Sequence, residues 1–303
     1  MKRVLVTGAS GFVGRQTLDK LTTLGYEVHA LHSPTSSSGE VLPGVTWHAL
    51  DLLDAKEVSF FMANLKPTHM LHYAWFAVPG QYLHSPMNAQ WLQASIHLMN
   101  DFALHGGKRF VGAGTCFEYD GTYGYCRENL TPLSADSIYG VCKDATRRVL
   151  ESLADNLGVD FAWGRIFFLY GPHEYESRLV SSVIRALLNN EPAECSAGTQ
   201  IRDFMHVEDV AAGFAALLNS SVQNSVNICT GEAIKIKDVT LTIAELLDAQ
   251  DLLHLGALPM RPNEPPMLIG DPSRLRDELG FTAKYDLTAG LTETINWWRA
   301  RTL

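Results

Sequence analysis

Apolar residues in the first half of the chain fall into short continuous runs that alternate with longer amphipathic segments. The runs predict six strands, at 3–7, 27–32, 45–50, 69–72, 109–112 and 160–167. Helical spacing of apolar residues fills most of the gaps, notably at 12–24, 55–64, 86–105 and 137–156. Because near-continuous apolar strands suit a sheet that is covered on both faces, this order predicts an α/β fold with a doubly wound parallel sheet.

The pattern becomes less regular after residue 168. This part contains Gly171-Pro172, a polar turn at 189–192 and a proline-rich stretch at 259–266. We therefore predict a first domain at 1–167 and a smaller second domain at 168–303. Within the second part, 207–218 has the spacing of a helix, and we expect the segment 205–230 to return to the first domain.

A glycine-rich turn connects the first strand to the first helix. Gly8, Gly11 and Gly14 follow the Gly-x-x-Gly-x-x-Gly spacing, with Phe12 and Val13 between the last two. In this context the first glycine permits a tight turn, the second admits a pyrophosphate to the backbone N–H groups, and the third lets helix and strand pack closely. The turn predicts a dinucleotide site in a Rossmann-type domain, and the alternative is an ordinary βα turn.

The end of the second strand indicates which nicotinamide dinucleotide is bound. An acidic residue there would bind the adenosine ribose hydroxyls. The strand instead ends in His32 and Ser33 and is followed by a serine-rich loop. His32, Ser33 and Thr35, with Arg15 nearby in sequence, are candidates for contacts to a 2′-phosphate. We therefore favour NADP as cofactor, with NAD possible; the alternative for this stretch is a flexible serine loop.

Tyr139 and Lys143 are four residues apart in a predicted helix, so their side chains share one face. A nearby ammonium favours a phenolate, so we expect the pKa of Tyr139 to lie below its usual value of about 10. Such a phenol exchanges protons near neutral pH. Thr115 lies just past the predicted fifth strand, at the edge where open parallel sheets place active sites. We predict a catalytic site of Thr115, Tyr139 and Lys143; a turn threonine and a surface tyrosine are the alternative.

These motifs resemble those of the extended short-chain dehydrogenase/reductase family, of the NAD-dependent epimerase/dehydratase type that acts on nucleotide sugars. The resemblance covers nearly the whole chain and includes the segments at 7–14, 165–172, 202–210 and 227–231. It implies a Rossmann-type doubly wound sheet with a smaller C-terminal domain that binds the nucleotide sugar. It also implies contacts to the cofactor from Asp51, Leu52, Tyr73, Ala74, Trp75, Asn88 and Phe167.

The resemblance further implies how the substrate is held and how subunits assemble. Arg202, and a later arginine assigned to Arg261, would contact the substrate diphosphate, which suits the bidentate geometry of guanidinium groups. Lys143 would hold the nicotinamide ribose. The predicted helices at 86–105 and 137–156 would form the four-helix interface of a homodimer.

Two departures from the family narrow the expected activity. Its 4,6-dehydratases carry Asp-Glu directly after the catalytic threonine, whereas Cys116 and Phe117 stand there in this chain. Neither can transfer the proton that water elimination requires. Glu118 is one residue further on, and we expect its side chain to point elsewhere. Many epimerases carry an asparagine where this chain has Phe168, which disfavours an ordinary hexose 4-epimerase.

The function that we expect is NADP(H)-dependent reduction of a nucleoside-diphosphate 4-keto-6-deoxy sugar, with hydride transfer to C4 and Tyr139 as the proton donor. Thr115 would orient the carbonyl group. The alternative is an NAD-dependent nucleotide-sugar 4-epimerase, in which the same three residues serve the oxidation and then the reduction of C4. A non-catalytic dinucleotide sensor is a further hypothesis, although a sensor would not need Thr115, Tyr139 and Lys143 together.

Composition and charge indicate which partners and locations we do not expect for this protein. The 303 residues carry a net charge of −9, which argues against nucleic acid as a partner because phosphate backbones attract clustered lysine and arginine. No apolar run is long enough for a membrane span, and we find no signal peptide before the first strand. The five cysteines form no Cys-x-x-Cys pair and the histidines are scattered, so we expect a cytoplasmic protein without a metal site.

Overall fold

The computed structural model of the protein describes residues 2–36, 42–260 and 264–302. Its strands are β1 (Arg3–Thr7), β2 (Glu27–His32), β3 (Val45–Ala49), β4 (His69–His72), β5 (Arg109–Thr115), β6 (Tyr125–Cys126), β7 (Asp160–Ile166), β8 (Phe168–Tyr170), β9 (Ala193–Cys195), β10 (Ile201–Arg202), β11 (Phe204–His206), β12 (Asn224–Ile228), β13 (Ile234–Lys235), β14 (Leu253–Leu255) and β15 (Met267–Gly270). Its α-helices are α1 (Phe12–Thr23), α2 (Ala55–Leu65), α3 (Met87–Leu104), α4 (Ile138–Leu157), α5 (Leu179–Leu188), α6 (Val207–Leu218), α7 (Ile236–Leu246) and α8 (Leu287–Thr302).

Seven of the strands form one parallel sheet in the order β12-β7-β5-β4-β1-β2-β3. The chain moves outward from β1 to β3 and then crosses back to β4, so the strand order reverses between β1 and β4. Open α/β sheets bind ligands outside the carboxyl ends of the strands at such a reversal. The prediction of a doubly wound parallel sheet is confirmed.

Both faces of this sheet are covered, which explains its continuous apolar strands. In β1, Val4 and Val6 pack into the core layer shared with α1 and α6, whereas Leu5 packs into the layer shared with α2, α3 and α4. Successive side chains of a strand point to opposite faces, so a sheet with two cores needs apolar residues at every position. Phe214 of α6 and Phe102 of α3 are fully buried in the two layers.

β5 continues to Thr115, beyond the strand predicted at 109–112. That prediction of the strand end was wrong because Gly112 and Gly114 resemble chain breakers. In the structure both glycines stay paired with β7, and the indole of Trp163 packs where their Cβ atoms would be. Thr115 is therefore the last residue of β5 and does not lie past its end.

A polar cap determines where the helix after β5 begins. The Ser137 side chain accepts a hydrogen bond from the backbone N–H of Gly140, at 3.2 Å, and this cap starts α4. Gly158, with a φ of 69°, ends the same helix. Because the cap sets the first turn of α4, it also sets the direction in which Tyr139 leaves the helix.

The second half of the chain contributes to the central sheet and also forms a core of its own. β12 pairs with β7, and α6 packs against α1. The separate core lies among α5, α7 and α8, around Ile184, Ile243 and Leu291. A small mixed sheet in the order β13-β10-β15-β6 stands beside it. The second half of the chain therefore lies at the carboxyl side of the central sheet. β10 is on that side.

Three further observations concern the chain as a whole. Among the described residues, no helix combines the length and the apolar character needed to cross a membrane. In the same residues, no three His, Cys, Asp or Glu side chains are grouped so that they could hold a metal ion. The five cysteines are unpaired and buried.

Phe214 provides a test of the core between the sheet and the layer of α1 and α6. Its ring is fully buried and lies 5.0 Å from the ring of Tyr73. We expect Phe214→Ala to lower the free energy of unfolding by about 3–5 kcal/mol, because burial is lost and a cavity remains. The matched control is Phe60→Ala on α2, a ring that is 75% exposed, which is expected to cost less than about 0.5 kcal/mol. Urea unfolding measures both; equal losses would contradict this account of the core.

Candidate active site

The glycine turn lies at the carboxyl end of β1 and opens α1. Gly8 has a φ of 65°, and a Cβ there would lie 2.8 Å from the backbone nitrogen of Ala74. A Cβ on Gly14 would collide with the carbonyl oxygen of Gly8. Gly11 caps α1 without a side-chain hydrogen bond, so the first turn of the helix presents backbone N–H groups and its positive dipole end. This cradle of backbone fits a dinucleotide pyrophosphate.

The ends of β1 and β4 are held together beside this turn. The Thr7 hydroxyl lies 2.7 Å from His72 Nδ1 and accepts a hydrogen bond from the Ala74 backbone N–H at 3.2 Å. His72 Nε2 lies 2.9 Å from the Ser95 hydroxyl. Burial lowers the pKa of His72 to about 3, so the ring is neutral and both nitrogens are in contact with hydroxyl groups. His72 thus maintains the geometry of the strand reversal.

The residues that follow β4 point in different directions. The ring of Tyr73 packs against Phe214, and its hydroxyl lies 3.1 Å from that of Thr17 on α1. Its side chain therefore belongs to the apolar layer under α1 and α6. Trp75 lies toward α3, where its Nε1 donates a hydrogen bond to Asn88 Oδ1 at 2.8 Å. Of these predicted cofactor residues, Trp75 and Asn88 lie next to the predicted catalytic group.

Thr115, Tyr139 and Lys143 are brought together at the carboxyl end of β5. The Thr115 hydroxyl lies near enough to Tyr139 to lower the pKa of the phenol. Lys143 Nζ donates a hydrogen bond to the carbonyl oxygen of Ala113 at 2.8 Å and lies 3.9 Å from the centre of the Trp75 ring. Because β5 ends at Thr115 and α4 starts at its serine cap, two separate elements place the three side chains at one point.

Burial has the largest effect on the pKa of Tyr139. Burial raises the pKa of Tyr139 above its usual value, and the hydrogen bond from Thr115 only partly opposes this rise. The expectation that the pKa of Tyr139 lies below its usual value was therefore wrong. The expectation failed because spacing shows that an ammonium is near and does not show how far both groups are desolvated. A high pKa keeps the phenol protonated at neutral pH, which suits a proton donor.

Burial also changes the state of Lys143. It lowers the pKa of the ammonium to about 7, and the charge of Glu118 opposes that change. Lys143 therefore loses its proton more readily than a lysine in water does. An anionic ligand beside it would favour the charged form.

The sequence analysis missed the aromatic residues that surround Tyr139. The ring of Tyr82 lies 4.8 Å from that of Tyr139 in an edge-to-face arrangement, and Phe117 lies 6.5 Å away on another side. Phe117 in turn lies 6.1 Å from Phe168, whose ring is 5.2 Å from the guanidinium of Arg202. Aromatic side chains thus line the path from Tyr139 to Arg202. In the sequence, Phe117 and Phe168 stand out only as departures from the family pattern, and Tyr82 gives no signal.

Arg202 is buried at the end of β10. It forms an ion pair with Glu264 at 2.9 Å, and its Nη1 donates to the carbonyl oxygen of Ile201 at 2.9 Å. Its buried Nε has no hydrogen-bond partner within the described parts of the chain. Arg202 therefore retains a donor for an anion. The other predicted diphosphate contact, Arg261, lies outside the described residues.

The remaining predicted cofactor residues lie at or near the carboxyl edge of the sheet. His32 Nδ1 is 2.9 Å from the carbonyl oxygen of Ser33, and the Ser33 and Thr35 hydroxyls are 2.9 Å apart. After β3, Asp51 accepts a hydrogen bond from a backbone N–H of the following turn. Leu52 and Phe167 are buried, and Phe12 and Val13 form the first turn of α1.

Arg15, a candidate contact to a 2′-phosphate, lies at the start of α1 and contacts His173 and Ser10 in the structure. Its Nη1 lies 2.6 Å from His173 Nδ1, and its Nη2 donates to the carbonyl oxygen of Ser10 at 2.6 Å. These contacts connect α1 to the turn after β8. Arg15 is thus already engaged at the glycine turn itself.

The chain matches the model of the NAD dependent epimerase/dehydratase family over residues 4–229. It belongs to this family of NAD-dependent enzymes, which act on nucleotide sugars. The extended short-chain dehydrogenase/reductase resemblance is therefore confirmed. A nicotinamide dinucleotide is the cofactor that this family and the glycine turn both support.

Individual relatives match over almost their whole length. CDP-abequose synthase of Salmonella muenchen is 24% identical over 302 residues, which cover 97% of this chain and 97% of the relative. UDP-glucose 4-epimerase of Bacillus subtilis is 25% identical and covers 97% of this chain and 96% of the relative. The solved structure of MoeE5 with UDP-glucuronic acid and NAD shares 30% identity and a TM-score of 0.83, over 99% of this chain and 100% of the other. That of Thermus thermophilus UDP-glucose 4-epimerase with NAD shares 25% identity and a TM-score of 0.87, over 98% and 99%.

Gly8 allows a test of the dinucleotide cradle. We expect Gly8→Ala to reduce dinucleotide affinity at least about tenfold, because the new Cβ meets the backbone of Ala74 in a conformation that side chains rarely adopt. Gly25→Ala is the matched control, since Gly25 has a φ of 79° and open space around its Cβ position. Isothermal titration with NADPH and NADH measures the effect. An equal loss of affinity in both variants would show that backbone strain alone, and not the cradle, is responsible.

Proposed function

We propose that this protein reduces a nucleoside-diphosphate 4-keto-6-deoxy sugar with NADPH. The observation that carries the proposal is the identity of the side chains around Tyr139. At the positions where the 4,6-dehydratases of the resemblance carry an acid and a base, this chain has Cys116 and Phe117. Burial raises the pKa of the Cys116 thiol, so it is neutral and a poor base. Tyr139 is then the group placed to transfer a proton to the substrate.

In the proposed reaction Thr115, Tyr139 and Lys143 have separate roles. When bound, the reduced nicotinamide supplies a hydride for C4 of the sugar. Tyr139, kept protonated by its raised pKa, donates its proton to the oxygen that becomes the C4 hydroxyl. The Thr115 hydroxyl holds that oxygen in line with the phenol. Lys143, on the next turn of α4, holds the ribose of the cofactor and adds positive charge beside Tyr139.

The surroundings of Tyr139 support a deoxygenated sugar. Phe117 and Phe168 present apolar ring surface between Tyr139 and Arg202, and Tyr82 adds another ring against Tyr139. An aromatic wall accepts a methyl group at C6 more readily than a hydroxymethyl group, which would lose hydrogen bonds to water. Arg202, with its unpartnered Nε, is the group we assign to the diphosphate.

The preference for NADP rests on the end of β2. The half-buried His32 and the exposed Ser33 and Thr35 offer a ring nitrogen and two hydroxyls, and no carboxylate stands among residues 32–36. A carboxylate there would repel a 2′-phosphate and would bind the free ribose hydroxyls of NAD. The solved relatives named above hold NAD, so the cofactor is a specific test of this proposal.

A 4-epimerase with retained NAD is the second candidate. The relatives from Bacillus subtilis and Thermus thermophilus, both named UDP-glucose 4-epimerase, favour it. Thr115, Tyr139 and Lys143 could serve both halves of an epimerisation. The aromatic wall and Phe168 favour the reductase. The close assembly of the three residues gives no support to a non-catalytic sensor.

The assay that decides between these functions follows NADPH oxidation with a panel of nucleoside-diphosphate 4-keto-6-deoxy sugars. We expect turnover with a lower KM for NADPH than for NADH. Tyr139→Phe is expected to lower kcat roughly 100- to 10,000-fold, because it removes the proton donor. Tyr123→Phe, at a tyrosine that is 56% exposed, is the control and should keep full activity. Interconversion of UDP-hexose epimers on tightly bound NAD, with no NADPH oxidation, would reject the reductase and support the epimerase.

We also propose that the protein is a homodimer. α4 carries a stripe of exposed apolar side chains, Ile138, Val141 and Val149, and Leu104 on the adjacent α3 is 76% exposed. Two copies of the α3–α4 pair would cover these side chains. We expect Val149→Asp to convert the dimer into a monomer in sedimentation velocity. Leu130→Asp, at a leucine that is 72% exposed and lies outside these helices, is the control. A wild-type monomer would refute the proposal.

A further inference from the structure

Glu118 is a buried carboxyl group beside Thr115 that the mechanism above does not use. Its side chain is completely buried, directly behind the residues that carry the reaction. Burial of an unpaired carboxylate is strongly unfavourable, so a charge at this position requires specific partners. Those partners connect it to the catalytic threonine and to the interior of the sheet.

The two carboxylate oxygens have separate contacts. Oε1 accepts hydrogen bonds from the Thr115 backbone N–H at 2.8 Å and from Trp163 Nε1 at 2.9 Å. Oε2 accepts one from Arg165 Nε at 2.7 Å. In return the Thr115 hydroxyl accepts a bond from the Phe117 backbone N–H, at 3.3 Å, so Thr115 and Glu118 form a reciprocal capping box. Both the backbone and the side chain of Thr115 are thus held through this short turn.

The surrounding chain is shaped to admit this carboxylate. At Gly114, a Cβ would lie 2.5 Å from Glu118 Oε1, so a side chain there would displace it. Arg165 is itself 1% exposed, and its Nη1 donates to the Tyr119 hydroxyl at 3.0 Å. That hydroxyl donates in turn to Asn227 Oδ1 at 2.8 Å. The ion pair is therefore part of a buried network that runs from Thr115 across β7 to β12.

We propose that Glu118 is a positioning residue: its carboxylate fixes Thr115 at the end of β5 and places a negative charge on the same Trp163 indole that Lys143 approaches from its ring face. In this role Glu118 touches neither substrate nor cofactor. It acts through the backbone of Thr115 and through its charge. The expected change in kcat rests on the proposed reductase function, whereas the expected change in the titration midpoint of Lys143 does not.

The charge of Lys143 depends on the titratable groups around it. Titratable or charged side chains reach this region from four elements: His72 of β4, Glu118 after β5, Tyr139 of α4 and Arg165 of β7. His72 is neutral, Tyr139 is protonated, and Arg165 is paired with Glu118. Glu118 raises the pKa of Lys143, against the effect of burial. Replacing it with a neutral group should therefore lower that pKa further, because the ammonium loses its stabilising partner.

Glu118→Gln is the variant that removes the charge and keeps an acceptor for Thr115. The Lys143 ammonium is followed by ¹⁵N-NMR titration in the protein without substrate, assigned by comparison with Lys143→Met. We expect its midpoint to fall by roughly one pH unit, the size of effect that one charge exerts inside a protein. The alkaline limb of the kcat profile should move in the same direction. A Lys143 midpoint equal to that of the wild type would overturn the proposal.

Tyr119→Phe is the matched control. It removes the two hydrogen bonds that the Tyr119 hydroxyl forms with Arg165 and Asn227, but leaves the contacts of Glu118 with Arg165 and Thr115 in place. We expect it to lower stability while leaving the Lys143 midpoint and the kcat profile unchanged. A shift as large as that of Glu118→Gln would show that general loosening of the network, and not the charge, is responsible, and would refute the proposal.

A second variant covers the case in which Glu118→Gln fails to fold because Arg165 is left unpaired. Glu118→Leu with Arg165→Met removes both charges together, a change that buried ion pairs often tolerate. Thr115 then loses its acceptor, so we expect kcat to fall roughly 100-fold with little change in KM, as for a misplaced catalytic group. Because a negative and a positive charge are removed together, the Lys143 midpoint should change less than in Glu118→Gln. Wild-type kcat in this folded double variant would overturn the positioning role of Glu118. A protein that lacks reductase activity as wild type but shows the expected shift of the midpoint in Glu118→Gln would refute the proposed function alone.

Discussion

The close approach of β1 and β4 is the constraint on which the rest of this molecule depends. Gly8 passes so near to Ala74 that no side chain fits between them, and Thr7 joins the two strand ends through His72. The strand order reverses at this point, so the helices on either side leave in opposite directions. The crevice that results holds backbone N–H groups on one side and the end of β5 on the other. A dinucleotide site and a catalytic group become neighbours for that single topological reason.

Burial, more than pairing, determines the chemistry at the end of β5. Tyr139 and Lys143 both lose water, which raises the pKa of one and lowers the pKa of the other, so each is moved toward its neutral form. A protonated phenol beside an ammonium of nearly neutral pKa suits proton donation to a developing alkoxide. Against this background the charge of Glu118 raises the pKa of Lys143, although by less than burial lowers it.

Much of the fold was accessible from the pattern of apolar residues, since each strand of a sheet with two cores must be apolar throughout. The helices at 55–65, 87–104 and 138–157 were predicted to within a residue or two at each end. The end of β5 was not, because its glycines are explained only by Trp163, a residue far away in sequence that packs over them. Tyr82 was missed for the same reason: its contact with Tyr139 joins two segments more than fifty residues apart.

Sequence alone determined the identity of the parts: a glycine turn at the start of a helix, a tyrosine and a lysine on one helical face, and a threonine near a strand end. These are local patterns, and local backbone geometry is enough to interpret them. The capping box of Thr115 and Glu118 is also local and could have been found from its Thr-x-x-Glu spacing. Tertiary structure alone decided the protonation of Tyr139, the aromatic path to Arg202 and the partner of Glu118. Desolvation and charge depend on which distant residues close around a group, and neither is encoded in the spacing along the chain.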